Sequence, residues 1–135
     1  MQEIIWTEEF SVAVAKLDQQ HKILIEMINK LIRDPQANTR SETVSEVLGE
    51  MTDYALQHFA YEESLMTAHG YPQQKEHVKE HRAFQETTGK FGAATAIDVQ
   101  GIPEMILEHL SQWLTHHILE VDMAYRPFFL AQGVQ

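Results

Sequence analysis

The segment His58-Phe59-Ala60-Tyr61-Glu62 constrains this chain more than any other, because it sets an imidazole and a carboxylate four residues apart within a long apolar-periodic stretch. On an α-helix, residues i and i+4 project from nearly the same face, one turn apart. If that face is interior, two polar groups are taken from water and need a partner there. An isolated pair of this kind reads more simply as a surface histidine with an exposed glutamate one turn on. Three further groups shift the balance. His77 and His81 repeat the four-residue step, His117 and Asp122 stand near the end of the chain, and His21 lies in the first strongly apolar stripe.

The stripes predict an all-α fold. Residues 1–17 mix Trp6, Phe10, Val12, Val14 and Leu17 with few helix signals and read as an extended N-terminal arm. Asp18 is a candidate N-cap for a first helix over 19–33, along which Leu17, His21, Leu24, Ile28 and Leu31 recur at steps of four and three. Asp34-Pro35 ends it, and 36–40 form a polar loop. Val44, Val47, Met51, Tyr54, His58, Glu62 and Leu65 mark a second helix over 41–68, which Gly70 stops. Pro72 opens a third over 73–91 with His77, His81, Phe84, Thr88 and Phe91 on one face, and 92–101 form a connector. Pro103 starts a fourth carrying Ile106, Leu110, Trp113, His117 and Val121, which Pro127 ends or kinks. Short links favour an antiparallel up-and-down four-helix bundle, one domain over 1–135. Counted along the helices, the second and third, and the third and fourth, bring their polar groups to one height. His21 and His58 differ by about 7 Å, which the first loop must absorb.

Seven candidate ligands therefore converge: His21, His58, Glu62, His77, His81, His117 and Asp122. Filling a core with five imidazoles and two carboxylates is costly unless they bind something. His69 lies about 16 Å along the axis from His58 and fits a C-terminal capping cation, while His109 and His116 read as flanking. With no cysteine in the chain, thiolate sites and disulfides are excluded and any metal must use nitrogen and oxygen. Seven ligands exceed what one open ion needs and suit two. Five imidazoles, two bridging carboxylates and a bridging oxygen occupy all but one position of two octahedra. Ligand types alone leave iron, manganese, cobalt and zinc open. Five residues at 100° put His117 and Asp122 about 140° apart, so a π-bulge or loosened turn is expected between them.

His21 after Leu17-Asp18-Gln19-Gln20, the HFAYE segment, HVKEH at 77–81 and WLTHHILEVD at 113–122 together resemble the hemerythrin family, in its single-domain bacterial branch. The resemblance spans nearly the whole chain. It implies two iron ions with a bridging oxo or hydroxo group, reversible dioxygen binding for storage, transport or delivery, and no enzymatic turnover. It assigns His77, His81 and His117 to a saturated iron, His21 and His58 to an open one, and Glu62 and Asp122 to bridges. It also implies an oxygen pocket lined by Leu24, Phe59, Trp113, Leu114, Ile118 and Tyr125. The alternatives are an oxygen- or iron-sensing or scavenging module and a di-iron oxidase or peroxidase. The latter usually carries four carboxylates and paired Glu-x-x-His motifs, which this chain lacks. A net charge of −10 argues against nucleic acid, and no apolar run approaches a membrane span. A cytoplasmic monomer is expected, with dioxygen and an oxygen-consuming enzyme as partners.

Overall fold

The computed structural model describes residues 3–33, 41–96 and 102–135, and among them every regular element is helical. Helices α1 (Ala15–Arg33), α2 (Ser41–His69), α3 (Gln74–Ala96) and α4 (Ile102–His116) form the bundle expected from the stripes. α1 packs on α2 and α4, and α3 packs on the same two, so the four close into a ring around one interior. α4 continues into a π-helical turn (His117–Val121), a 3-10 turn (Asp122–Tyr125) and a short helix α5 (Arg126–Ala131). The stop at Asp34-Pro35, loop 36–40, residues 97–101, and the side chains of Val44, Val47, Phe91, Pro103 and Ile106 lie outside the described residues.

Boundaries differ from expectation at three places. α1 starts at Ala15 rather than after Asp18. Asp18 sits inside the first turn and turns its carboxylate back, accepting from the Val12 N–H at 2.8 Å and the Ser11 hydroxyl at 2.6 Å, which secures the entry from outside the helix. α3 runs on to Ala96, into the segment expected to be a connector. Pro127 does not end the chain's helices; it stands in the first turn of α5, where its missing N–H costs nothing. The stop at Gly70 is as expected. With φ of 68°, it lets the Tyr71 N–H reach the Met66 carbonyl at 2.9 Å, and both side chains join one apolar cluster.

The interior is layered. One apolar cluster holds Leu24, Met51, Phe59, Phe84, Leu110 and their neighbours; a second, at the other end, holds Val14, Leu17, Met66, Tyr71, Tyr125 and Phe129. Along every helix the candidate ligands fall where one cluster gives way to the other: His21 between Leu17 and Leu24, and Glu62 between Phe59 and Met66. The polar layer is closed off from water at both ends.

The N-terminal arm is less extended than expected, since Glu8–Phe10 form a 3-10 turn capped by Thr7. It is pinned to α1 by the Asn29 amide, which donates to the Ile4 carbonyl and accepts from the Ile4 N–H, both at 2.8 Å. Asn29→Ala leaves both backbone groups without a partner and is expected to cost about 1–2 kcal/mol. Denaturant melts check this, and faster proteolysis near Ile4 should accompany the loss.

Candidate metal centre

All seven candidate ligands are buried, none more than 3% exposed, and their reactive atoms fall into two groups that share two members. His77, His81 and His117 gather with Glu62 and Asp122; His21 and His58 gather with the same two carboxylates. The offset of about 7 Å foreseen between α1 and α2 is absent here, because His21 Nε2 lies 3.1 Å from His58 Nε2.

The carboxylates join the groups in different ways. Asp122 Oδ1 lies 2.9 Å from both His77 Nε2 and His117 Nε2, while Oδ2 lies 2.9 Å from His21 Nε2. Each oxygen therefore serves one group. Glu62 turns Oε1 towards both, 3.2 Å from His58 Nε2 and 3.2 Å from His81 Nε2, and accepts a hydrogen bond on Oε2 from the Tyr125 hydroxyl at 2.5 Å.

These separations would suit ion pairs, yet the directions do not suit hydrogen bonds. Among the described residues, Nε2 of His77, His81 and His117, Oε1 of Glu62 and both Asp122 oxygens are buried without an aligned partner. The atoms point at common space rather than at one another. Ligands about 2.1 Å from an ion and at right angles around it lie about 3 Å apart, which matches the distances found here. The donor set thus fits a pair of nitrogen- and oxygen-ligated metal ions.

Local structure aims these side chains. The Asp122 N–H is shared between the carbonyls of His117 and Ile118, so the π-helical turn expected between His117 and Asp122 is present. That wider turn brings both side chains inward. Behind the ligands stand residues that the stripes did not single out. His58 Nδ1 donates to Gln20 Oε1 at 2.6 Å, and His81 Nδ1 donates to Glu63 Oε2 at 3.2 Å, which leaves each Nε2 lone pair facing the centre. Gln20 and Glu63 are chain neighbours of ligands, but one residue is a turn of 100° and places them off the stripe.

The expected pocket divides. Leu24, Phe59, Leu114 and Ile118 belong to one apolar cluster with Trp113 packed against it; Phe59 stacks on His81 at 3.9 Å and Trp113 on His117 at 4.4 Å between ring centroids. Tyr125 belongs to the opposite cluster, stacks on His77 at 5.4 Å, and is a hydrogen-bond donor to Glu62 rather than part of that wall. The three remaining histidines stay apart. His116 pairs with Glu120 at 2.9 Å on the surface, His109 stacks on Phe84, and His69 ends α2 beside Phe129.

A four-helix bundle with two buried histidine groups tied by shared carboxylates defines a class, the helical bundles built around a histidine–carboxylate metal centre. The hemerythrin HHE cation binding domain matches residues 12–129. Bacteriohemerythrin of Pseudomonas paraeruginosa is 32% identical over 131 residues, covering 93% of this chain and 80% of the relative. Bacteriohemerythrin of Methylococcus capsulatus is 33% identical over 127 residues, covering 90% of this chain and 93% of the relative. A crystal structure of wild-type hemerythrin aligns with a TM-score of 0.81 at 28% identity, covering 93% of this chain and 97% of that one. The chain belongs to the hemerythrin family.

Burial would lower the basicity of His21 and His77, but the pull of Asp122 outweighs it and both are raised. Burial prevails at His58, which is lowered. Glu62 and Asp122 are lowered although burial opposes it, because the surrounding imidazoles favour their charged forms. In protein stripped of metal, the raised histidines stabilise below their unfolded value near 6.5, and this is lost as pH rises; the carboxylates stabilise above about 4, and this is lost as pH falls. His58, which is lowered, opposes the two that are raised. The stripped protein's melting temperature should therefore fall from about pH 6 to pH 8, whereas the loaded protein's should rise, since imidazole ligands bind metal deprotonated. Parallel slopes in thermal melts of the two forms would contradict this account.

Proposed function

We propose that the protein binds dioxygen reversibly at two iron ions and turns over no organic substrate. Family membership supports an oxygen- or iron-binding role, and one observation carries the finer statement: five histidines divide three and two about a shared pair of carboxylates. With a bridging oxygen added, octahedral coordination would be filled at the three-histidine ion and would leave one open position at the two-histidine ion. Iron held there would supply one electron from each ion to dioxygen and recover both on its release.

The chain's own residues set the conditions. His77, His81 and His117 would hold one ion, His21 and His58 the other, with Glu62 and Asp122 between. Leu24, Phe59, Leu114, Ile118 and Trp113 form an apolar wall that excludes water and offers no acid. The Tyr125 hydroxyl is held protonated by burial and by the charges of Asp122 and Glu62. Its proton is committed to Glu62 Oε2, on the side of the opposite cluster, and is not free to drive off a reduced ligand. Storage or delivery to an oxygen-consuming enzyme follows from such a cycle.

Two irons per chain are expected in native protein, and Asp122→Ala should lower that content by at least half, because both groups lose a ligand. Elemental analysis measures this; His116→Ala should leave the content unchanged. Anaerobically reduced protein should bind dioxygen and return to its starting spectrum on deoxygenation. Catalytic consumption of dioxygen with an electron donor, without return, would instead establish an oxidase. Trp113→Ala and Leu24→Ala should retain metal but shorten the life of the oxygenated form about tenfold, equivalent to about 1.4 kcal/mol of barrier.

A further inference from the structure

The outer face of α3 carries an unexpected concentration of positive charge. Lys75, Lys79 and Arg82 follow one another at steps of four and three, so they share a stripe about 10 Å long. With Pro72, Gln74 and Val78 they line a shallow groove of about 550 Å3. The chain has 20 acidic residues against 10 basic ones; elsewhere Arg33 pairs with Glu3 and Glu26, Lys90 with Glu86, and Lys16 and Lys22 lie over Tyr61 and Trp6, while Lys30 and Arg126 stand singly on α1 and α5. The three groove cations are exposed and have no ion-pair partner among the described residues.

We propose that this groove docks an acidic one-electron donor protein that re-reduces the metal centre, an inference that rests on the dioxygen-binding function proposed above. A di-iron oxygen carrier that occasionally loses its ligand in reduced form is left ferric and cannot rebind dioxygen until electrons are returned. In each docking event the donor is oxidised by one electron and one ferric ion becomes ferrous. Two such events would return both ions to the ferrous state, with solvent supplying any proton needed to balance the added charge.

The position of the groove suits that role. His77 and His81 stand on the same helix, roughly 150° round from the cations, so a seated partner is separated from the centre by the width of one helix, about 10 Å. The neighbouring face has the opposite sign: a cleft of about 170 Å3 beside His77 is flanked by Glu76 and Glu80. Adjacent patches of opposite charge orient a partner as well as attract it. A protein with a compact acidic patch also fits better than a membrane or nucleic acid. Charges are screened within about 8 Å at physiological salt, so a small patch meets only the three cations, whereas an extended phosphate surface also meets the surrounding acids.

A plant-type [2Fe-2S] ferredoxin, an acidic one-electron carrier, is the probe. Calorimetry of the oxidised, iron-loaded protein with oxidised ferredoxin gives affinity, and stopped-flow mixing with reduced ferredoxin gives the reduction rate. Reversing Lys75, Lys79 and Arg82 together to Glu should weaken both by at least about tenfold and remove most of their salt dependence. Reversing Lys16, Lys30 and Arg126 to Glu changes net charge equally and should alter each less than about twofold. Both variants should keep the parent's metal content and dioxygen binding. Equal losses from the two triple variants, no ferredoxin binding by a parent that binds dioxygen reversibly, or tighter binding to anionic lipid vesicles than to ferredoxin would each overturn the proposal. A parent that docks ferredoxin through the groove but does not bind dioxygen would leave the docking surface standing and remove the function.

Discussion

Seven polar side chains share a water-free layer, and their mutual compensation is the constraint on which this structure depends. Glu62 and Asp122 are fully buried, and the effective penalty for burying an unpaired ion is several kcal/mol. Five imidazoles around two carboxylates reduce that cost through charge, but the misaligned Nε2 and carboxylate atoms show that hydrogen bonding does not complete the task. Atoms held about 3 Å apart and aimed at common space are better satisfied by cations between them. α1, α2, α3 and the turns that continue α4 each contribute at least one of these groups, so metal binding and assembly of the bundle are thermodynamically linked.

The two apolar clusters have distinct parts in maintaining that layer. Phe59 and Trp113 lie flat against His81 and His117, which fixes ring orientation from one side. From the other, Tyr125 stacks on His77 and hydrogen-bonds Glu62. The bridging carboxylates are consequently not equivalent. Asp122 presents both oxygens to the histidines, whereas Glu62 has one oxygen committed to a protein donor. Gln20 and Glu63 complete the support by setting which nitrogen of His58 and His81 faces inward.

α3 links this interior to the surface. One face supplies two histidines to the buried layer, and the opposite face carries Lys75, Lys79 and Arg82 in a chain that is otherwise strongly acidic. Helical geometry permits both, because a 3.6-residue turn separates neighbours in sequence by 100°.

The sequence by itself determined what local geometry governs. Apolar periodicity located four helices and put five histidines and Glu62 on their inner faces. Glycine's tolerance of positive φ marked the end of α2, and the 140° between His117 and Asp122 called for the π-helical turn. These follow from rules within one helix. The tertiary structure decided whatever depends on helices meeting. Gln20 finds His58 across 38 residues and Glu63 finds His81 across 18, both from off-stripe positions that periodicity assigns to no site. Tyr125 was expected in the apolar wall, but the turns after Asp122 rotate it into the opposite cluster, where its hydroxyl meets Glu62. α1 begins early because Asp18 reaches back to Ser11 and Val12, and no helical repeat encodes a side chain that leaves its own helix. Periodicity specifies which way a residue faces on its own helix; which atom it meets there is set by the packing of the others.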